Sequence, residues 1–312
     1  MGKREQKYNR EQIRKGNLTQ EQVDYLIEDG VRLFQEEQQL TVDGMAGPKT
    51  QEALGLLDGD KELKHFPEGK GVYIRSLKDT GHPEAAAKKA ESAGLDFVVI
   101  GSVWISRKWY LGGAVKVTKM NSVVEIENYS KAFRNRGIKV WLWGYPYPGR
   151  EQEFERIVAD HLIAAQAKGF IVDPEKPYRN NPDAAEKLMT LLTRLCDDLG
   201  VGIGFTSYAA TWFFKDFPYA VFASFAKVFG SPQVYDNKNN MPDTYAHRAY
   251  DSYKEFGFNP IIVSTPGYKK TRRQWRKLVE SHPVESKGII VWDWKNLNNN
   301  PHLWDELTQY TV

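Results

Sequence analysis

From residue 71 onward the sequence repeats one unit eight times, a short apolar run followed by a polar or amphipathic stretch, and nothing else in the chain restricts the fold as strongly. The runs are 71–77 (GVYIRSL), 95–104 (LDFVVIGSVW), 138–147 (IKVWLWGYPY), 169–175 (GFIVDPE), 201–208 (VGIGFTSY), 227–236 (KVFGSPQVYD), 259–268 (NPIIVSTPGY) and 288–296 (GIIVWDWKN). They are rich in β-branched and aromatic side chains and are bounded by Gly, Pro or Asn, the marks of strands. Stretches such as HPEAAAKKAESAG, REQEFERIVADHLIAAQAKG and PDAAEKLMTLLTRLCDDLG lie between them and have helical composition. Eight strands alternating with helices predict an α/β fold, a (β/α)8 barrel of the TIM type, with a doubly wound open sheet as the alternative.

The fourth run ends in VDPE. Side chains two apart on a strand share a face, so Asp173 and Glu175 are expected together at the carboxyl end of the fourth strand, where barrels of this kind keep their catalytic groups. Two carboxylates held close repel, and burial penalises the charged form, so one of them can stay protonated near neutrality. An acid beside a carboxylate is the equipment for cleaving a glycosidic bond. The competing account is that both cap the following helix or pair with Lys176 and Arg179.

Other strand ends add candidates. The sixth offers Gln233, Tyr235 and Asp236, with Gln233 and Tyr235 on one side by the same alternation. The eighth offers Trp292 and Trp294 on one face and Asp293 on the other, the third offers Tyr145 and Tyr147, and the first ends at Arg75. Aromatic rings stack on the apolar faces of sugars while carboxylates and amides bind hydroxyls, so such a mouth suits a carbohydrate. Tyr235 and Trp292 are the rings expected to line it. At 13% aromatic content, several of the others must belong to the core.

The composition changes near residue 60. Residues 1–17 form a basic tail, 18–58 a helical module opened by a capping-box spacing at Thr19 and Gln22, 59–70 a polar linker, and 71–312 the barrel. Within the module the segment VRLFQEEQQLTVDGMAGPKTQEAL carries Phe34, Gln35, Leu40, Val42, Asp43, Gly44, Gly47, Pro48, Thr50, Ala53 and Leu54. In these residues it resembles the three-helix peptidoglycan-binding domain family. That resemblance implies bacterial peptidoglycan as a partner, with Asp43, Gly44 and Gly47 in the turns that would meet it.

The barrel resembles the glycoside hydrolase clan that includes family 18 chitinases and family 25 muramidases, through the D-x-E at Asp173 and Glu175, the PQVYD of the sixth strand, and Trp292. The resemblance implies that Glu175 is the general acid and base, that Asp173 orients the substrate's 2-acetamido group, and that Tyr235 supports that group as internal nucleophile. Gln233, Asp236, Trp292, Tyr145, Arg75 and Asp293 are the expected substrate-binding residues. Two departures stand out: KGFIV supplies none of the further aspartates of family 18, and Arg75 stands where family 25 has an aspartate. Together the two resemblances imply a lysozyme-like peptidoglycan hydrolase, a muramidase or a glucosaminidase, of the bacteriolytic phage endolysin type. The alternatives are a wall-binding or virion structural protein that kept the barrel and lost the chemistry, and a chitinase-like enzyme.

The formal net charge of +3 falls short of a nucleic-acid footprint, so no nucleic acid is expected as partner. The six histidines, at 65, 82, 161, 247, 282 and 302, are dispersed with no H-x-x-x-H pair, so no metal and no cofactor are expected, which counts against a zinc-dependent wall amidase. His82 and His161 are expected on the surface or at helix caps. The single cysteine, Cys196, falls on the apolar face of a helix and is expected to be a buried thiol. The first residues form neither a secretory signal nor a membrane span, which implies a protein made in the cytoplasm that acts at the cell wall after release. For the basic tail, contact with anionic membrane lipid or lipopolysaccharide is the alternative to a solvated arm.

Overall fold

The computed structural model describes residues 65–107, 115–225, 227–235 and 244–311, and four single positions before them, 32, 35, 36 and 42. Contacts divide the chain into Met1–Glu62 and Leu63–Val312. In the first unit Arg32, Gln35 and Glu36 are helical, and Gln35 is buried. Asp43, Gly44, Gly47, the basic tail and the rest of the expected helical module lie outside the described residues, as does Asp236.

The second unit is the expected barrel. Its strands are β1 (Gly69–Ile74), β2 (Phe97–Arg107), β3 (Val115–Lys119), β4 (Lys139–Tyr145), β5 (Gly169–Val172), β6 (Gly202–Tyr208), β7 (Val228–Gln233), β8 (Val263–Pro266) and β9 (Gly288–Trp292). Eight of them pair in parallel in the order β1-β2-β4-β5-β6-β7-β8-β9, and β9 returns to β1 and closes the ring. The helices are α1 (Pro83–Ser92), α2 (Val123–Arg134), α3 (Glu151–Ala165), α4 (Pro182–Leu199), α5 (Tyr219–Ala223), α6 (Tyr245–Phe256), α7 (Arg272–Glu280), α8 (Trp294–Asn299) and α9 (Pro301–Gln309).

The period of two along each strand sorts the side chains into two cores. Val72, Ile74, Val98, Ile100, Phe170 and Val172 point outward to the helices, while Tyr73, Phe97, Val99, Trp141, Trp143, Ile171 and Phe229 fill the barrel. Large rings fit inside because facing positions are glycine. A Cβ on Gly169 would lie 2.1 Å from Trp141, and one on Gly204 2.1 Å from Phe229. Phe66 meets Phe229 edge to face at 5.3 Å, so the chain contributes to this core before β1 begins and well before the expected boundary at residue 71. Lys70, also buried, donates from Nζ to the carbonyls of Ala93 (3.2 Å) and Leu307 (3.1 Å), tying the chain just past α1 to α9.

Several expectations are corrected. β3, absent from the eight runs, is an antiparallel partner to an extension of β2, from Val103↔Lys119 to Arg107↔Val115, beyond a register shift between Gly101 and Trp104. β5 stops at Val172 and β9 at Trp292, both short of the expected ends. Trp294 therefore begins α8 and packs outside the barrel against Phe133 and Trp304, and does not share a face with Trp292. His161 is fully buried on α3 with Nδ1 2.8 Å from Ser102 Oγ, not at the surface. His82 occupies the N-cap position of α1 but makes no side-chain cap bond. Cys196 is buried on α4 as expected, and burial pushes its thiol up to about 12.

Candidate active site

Asp173 follows β5 by one residue and is still held in the sheet, its N–H donating to the Gly144 carbonyl at 2.9 Å. The alternation that turns Ile171 inward carries on to Asp173, which is 6% exposed. Pro174 follows, its carbonyl accepting from Ser207 Oγ at 2.7 Å, and this fixes the bend that leads into Glu175. Glu175 precedes a short 3-10 turn, Lys176–Tyr178, and does not cap it through its side chain. Arg179 places Nε 2.9 and 2.7 Å from the two oxygens of Asp216. Glu175 therefore does not cap the turn, and Arg179 is engaged by Asp216.

What meets the acids instead is an amide. Gln233, the last residue of β7, donates from Nε2 to Asp173 Oδ1 at 2.8 Å. Burial raises the carboxyl pKa of Asp173 well above its usual range and the neighbouring Glu175 raises it further, with the Gln233 bond opposing both. Glu175 is raised by burial, again opposed by Gln233. Two such groups titrate as a pair.

Aromatic side chains surround the pair. Tyr235 follows β7 with its N–H on the Gln233 carbonyl at 2.8 Å, and its phenol is pushed well up by burial and by Tyr73, Asp173, Tyr268 and Glu175. Its ring lies 6.5 Å from that of Trp292, which packs on Trp143 at 5.1 Å and Tyr73 at 5.3 Å. Tyr145, at the end of β4, has its phenol raised by burial and then by Glu175 and Asp173. Asp173, Glu175, Gln233, Tyr235, Tyr145 and Trp292 thus come together at the carboxyl end of the barrel.

The other expected residues stand differently. Asp293 is buried, and its Oδ1 accepts from Asn296 N–H at 2.9 Å, so its carboxylate caps α8. Burial raises its pKa, opposed by that bond and by Arg75. Arg75, one residue past β1, lies with its guanidinium 5.1 Å from the centre of the Trp104 ring. Two residues went unforeseen. Tyr208 ends β6, and burial together with Glu175 pushes its phenol up to about 12; alternation from Gly204 through Thr206 would have found it. Trp104 stacks on Tyr145 at 4.4 Å with the planes 6° apart. Among the described residues, no three His, Cys, Asp or Glu side chains gather as a metal site.

No family model and no curated protein matches the chain. Solved structures do resemble it, and they define a class by fold: the (β/α)8 barrel. The spore cortex-lytic enzyme SleL of Bacillus megaterium QM B1551 aligns with a TM-score of 0.55 at 9% identity, over 78% of this chain and 74% of that one. A GH113 β-1,4-mannanase aligns at 0.51 and 9%, over 74% and 88%. The xylanase and α-amylase inhibitor protein XAIP-II of Scadoxus multiflorus aligns at 0.54 and 14%, over 79% and 100%. At such identities the likeness establishes the fold, a fold that carries both hydrolases and an inhibitor.

Proposed function

We propose that this protein hydrolyses the glycan strands of peptidoglycan, as a lysozyme-like muramidase or glucosaminidase. The observation that carries the reading is the Asp173–Glu175 pair, with Asp173 buried beneath the Gln233 amide and Glu175 half-buried beside it, among tyrosines at the carboxyl end of the barrel. Raised carboxyl pKa values favour the protonated form that a general acid needs. Glu175, the more exposed of the two, protonates the glycosidic oxygen. Asp173, held by Gln233, and Tyr235 orient the acetamido oxygen that meets the oxocarbenium-like centre, and water then opens the intermediate with Glu175 as base. No metal or cofactor enters these steps. Peptidoglycan is favoured over other N-acetylated glycans by the VDG and GPKT motifs near the N-terminus, whose tethering would raise the local concentration of substrate. Action at the wall as a phage-type lysin belongs to the same proposal.

The test is digestion of purified peptidoglycan by the wild type and by Glu175→Gln, with mass spectrometry of borohydride-reduced fragments. Reduced muramic ends that vanish in the variant support a muramidase, and reduced glucosamine ends a glucosaminidase. A second reading, a binder on a hydrolase barrel, is favoured by the inhibitor of the same fold and by the cation at the end of β1. It predicts retention on the wall with no new ends from either protein.

A further inference from the structure

Beside the acid pair, the mouth carries a cation that the mechanism does not use. Arg75 continues the inward alternation of β1, after Gly71 and Tyr73, and is exposed at the strand's carboxyl end. Among the described residues its guanidinium has no hydrogen bond and no ion pair; it lies over the Trp104 ring, which stacks in turn on Tyr145. Tyr145 is one of the tyrosines whose phenol is raised by Glu175 and Asp173, so the stacked Trp104–Tyr145 pair links Arg75 to the surroundings of the acids. Asp293, the nearby carboxylate, is engaged with the start of α8. A guanidinium over an indole face, with no hydrogen-bond partner of its own among the described residues, keeps its N–H donors available for a carboxylate, which Arg can bind in bidentate fashion.

The β2–β3 hairpin extends this character outward. Val103 and Ile105 are buried, and Val115 and Val117 pack against the same outer core, so Trp104 and Ser106 lie on the opposite face with their partners Thr118 and Lys116. Lys116 is exposed on that face, and neither strand contains an aspartate or glutamate. An anionic saccharide entering a site with two carboxylates would meet repulsion unless a cation stood beside them, and Arg75 and Lys116 are placed to supply it.

We infer that Arg75, held by Trp104, is a specificity-determining residue that binds a carboxylate on the sugar next to the cleaved bond, with Lys116 as a weaker second contact. The inference rests on the proposal that this mouth binds saccharide. The shared chemistry is a carboxylate on a pyranose, as a lactyl ether or as a uronate. Titration calorimetry on full-length Glu175→Gln, which binds without cleaving, measures it with four probes: the tetrasaccharide of alternating N-acetylglucosamine and N-acetylmuramic acid, its carboxyl-reduced form, chitotetraose and tetragalacturonate.

Because a hydrogen-bonded charge pair contributes more than a neutral bond, the intact muramic tetrasaccharide should bind about 10-fold or more tighter than its reduced form. That preference should disappear with an added Arg75→Gln, return in part with Arg75→Lys, and shrink about 2-fold with Lys116→Gln and in high salt. Tighter binding of tetragalacturonate would support a uronate as the source, provided it too depends on Arg75. Equal binding of intact and reduced forms, or an Arg75→Gln loss that is the same for both, overturns the inference. If wild-type protein nevertheless cleaves glycan strands, the hydrolase proposal stands without it; an Arg75-dependent preference with no cleavage separates the two the other way.

Discussion

Glu306 and Asp173 are both almost wholly buried carboxylates, but their surroundings could hardly differ more. Glu306, on α9 in the outer layer, accepts from Arg276 Nη2 at 2.9 Å and from Arg272 Nη1 at 3.4 Å, and the Arg276 Nε also reaches it. Asp173, on the inner face of the barrel, meets Glu175 and the neutral amide of Gln233. Opposite charge around a buried acid pairs it and makes it part of the scaffold; like charge around a buried acid favours its protonated form and makes it a reagent. Burial alone does not distinguish a structural acid from a chemical one, whereas the partner does.

The sharpest way to break this comparison is to neutralise one acid of each kind, Glu306 in the outer layer and Glu175, the neighbour of Asp173, in the mouth. Glu175→Gln should lower glycan hydrolysis by about 10²–10⁴-fold, the range of a lost general acid, with a thermal midpoint close to wild type. Glu306→Gln should do the reverse, leaving kcat within about 2-fold while lowering the midpoint by about 2–4 °C, because two guanidinium groups lose their counter-charge. Calorimetric melting beside a glycan-release assay reads both. If Glu306→Gln costs activity and Glu175→Gln costs only stability, the contrast is wrong.

The next effect is smaller and concerns sign. Removing Asp173 removes the repulsion, so in Asp173→Asn the remaining Glu175 should lose its proton at lower pH and the alkaline limb of the activity profile should move acidward. Removing the Gln233 bond, which opposes the upward shift of both acids, should move the limb the other way in Gln233→Leu, with kcat down about 10-fold for the lost positioning. Stability follows the same linkage. The folded pair holds its proton more tightly than the unfolded chain, so its contribution is present at low pH and is lost as pH rises through the raised folded values. Limbs that move in the same direction in both variants would show that the amide and the acid do not act on one titrating unit.

How far this was legible in the sequence depends on the length scale. The alternation of apolar runs and helices is a property of whole segments, and it yielded the barrel; alternation at the ends of two runs brought Asp173, Glu175, Gln233 and Tyr235 to one place. The failures are local. AVKVTK alternates as a half-buried strand does, but it follows a run already assigned, so the β2–β3 hairpin that carries Trp104 and Lys116 was missed. Trp294 was placed on the wrong face because Asp293 ends the strand by capping a helix, a switch from period 2 to 3.6 that two tryptophans flanking an aspartate do not announce. The Asp293 cap is itself such a local bond, invisible until the helix start is known.

The smallest expected effect tests the comparison with a base in place of an acid. His282 lies past α7, 8% exposed, with neither ring nitrogen hydrogen-bonded, and burial, with some help from His247, lowers its pKa to about 3. His161, also buried and lowered to about 4, at least shares its Nδ1 with Ser102. For both, the unfolded chain binds the proton more readily, near pH 6.5, so the folded state loses stability as pH falls from 6.5 toward the depressed folded values. This slope is opposite to that of the acid pair, and in His282 it comes from burial without a partner. His282→Leu removes one titrating group and two unpaired nitrogens, so it should flatten the acid side of the midpoint-against-pH curve while leaving the midpoint at pH 7 unchanged or slightly higher. Parallel curves for wild type and variant between pH 6.5 and 4 would mean that His282 finds a partner or water in solution, and that an unpaired buried base does not carry the acid sensitivity of this barrel.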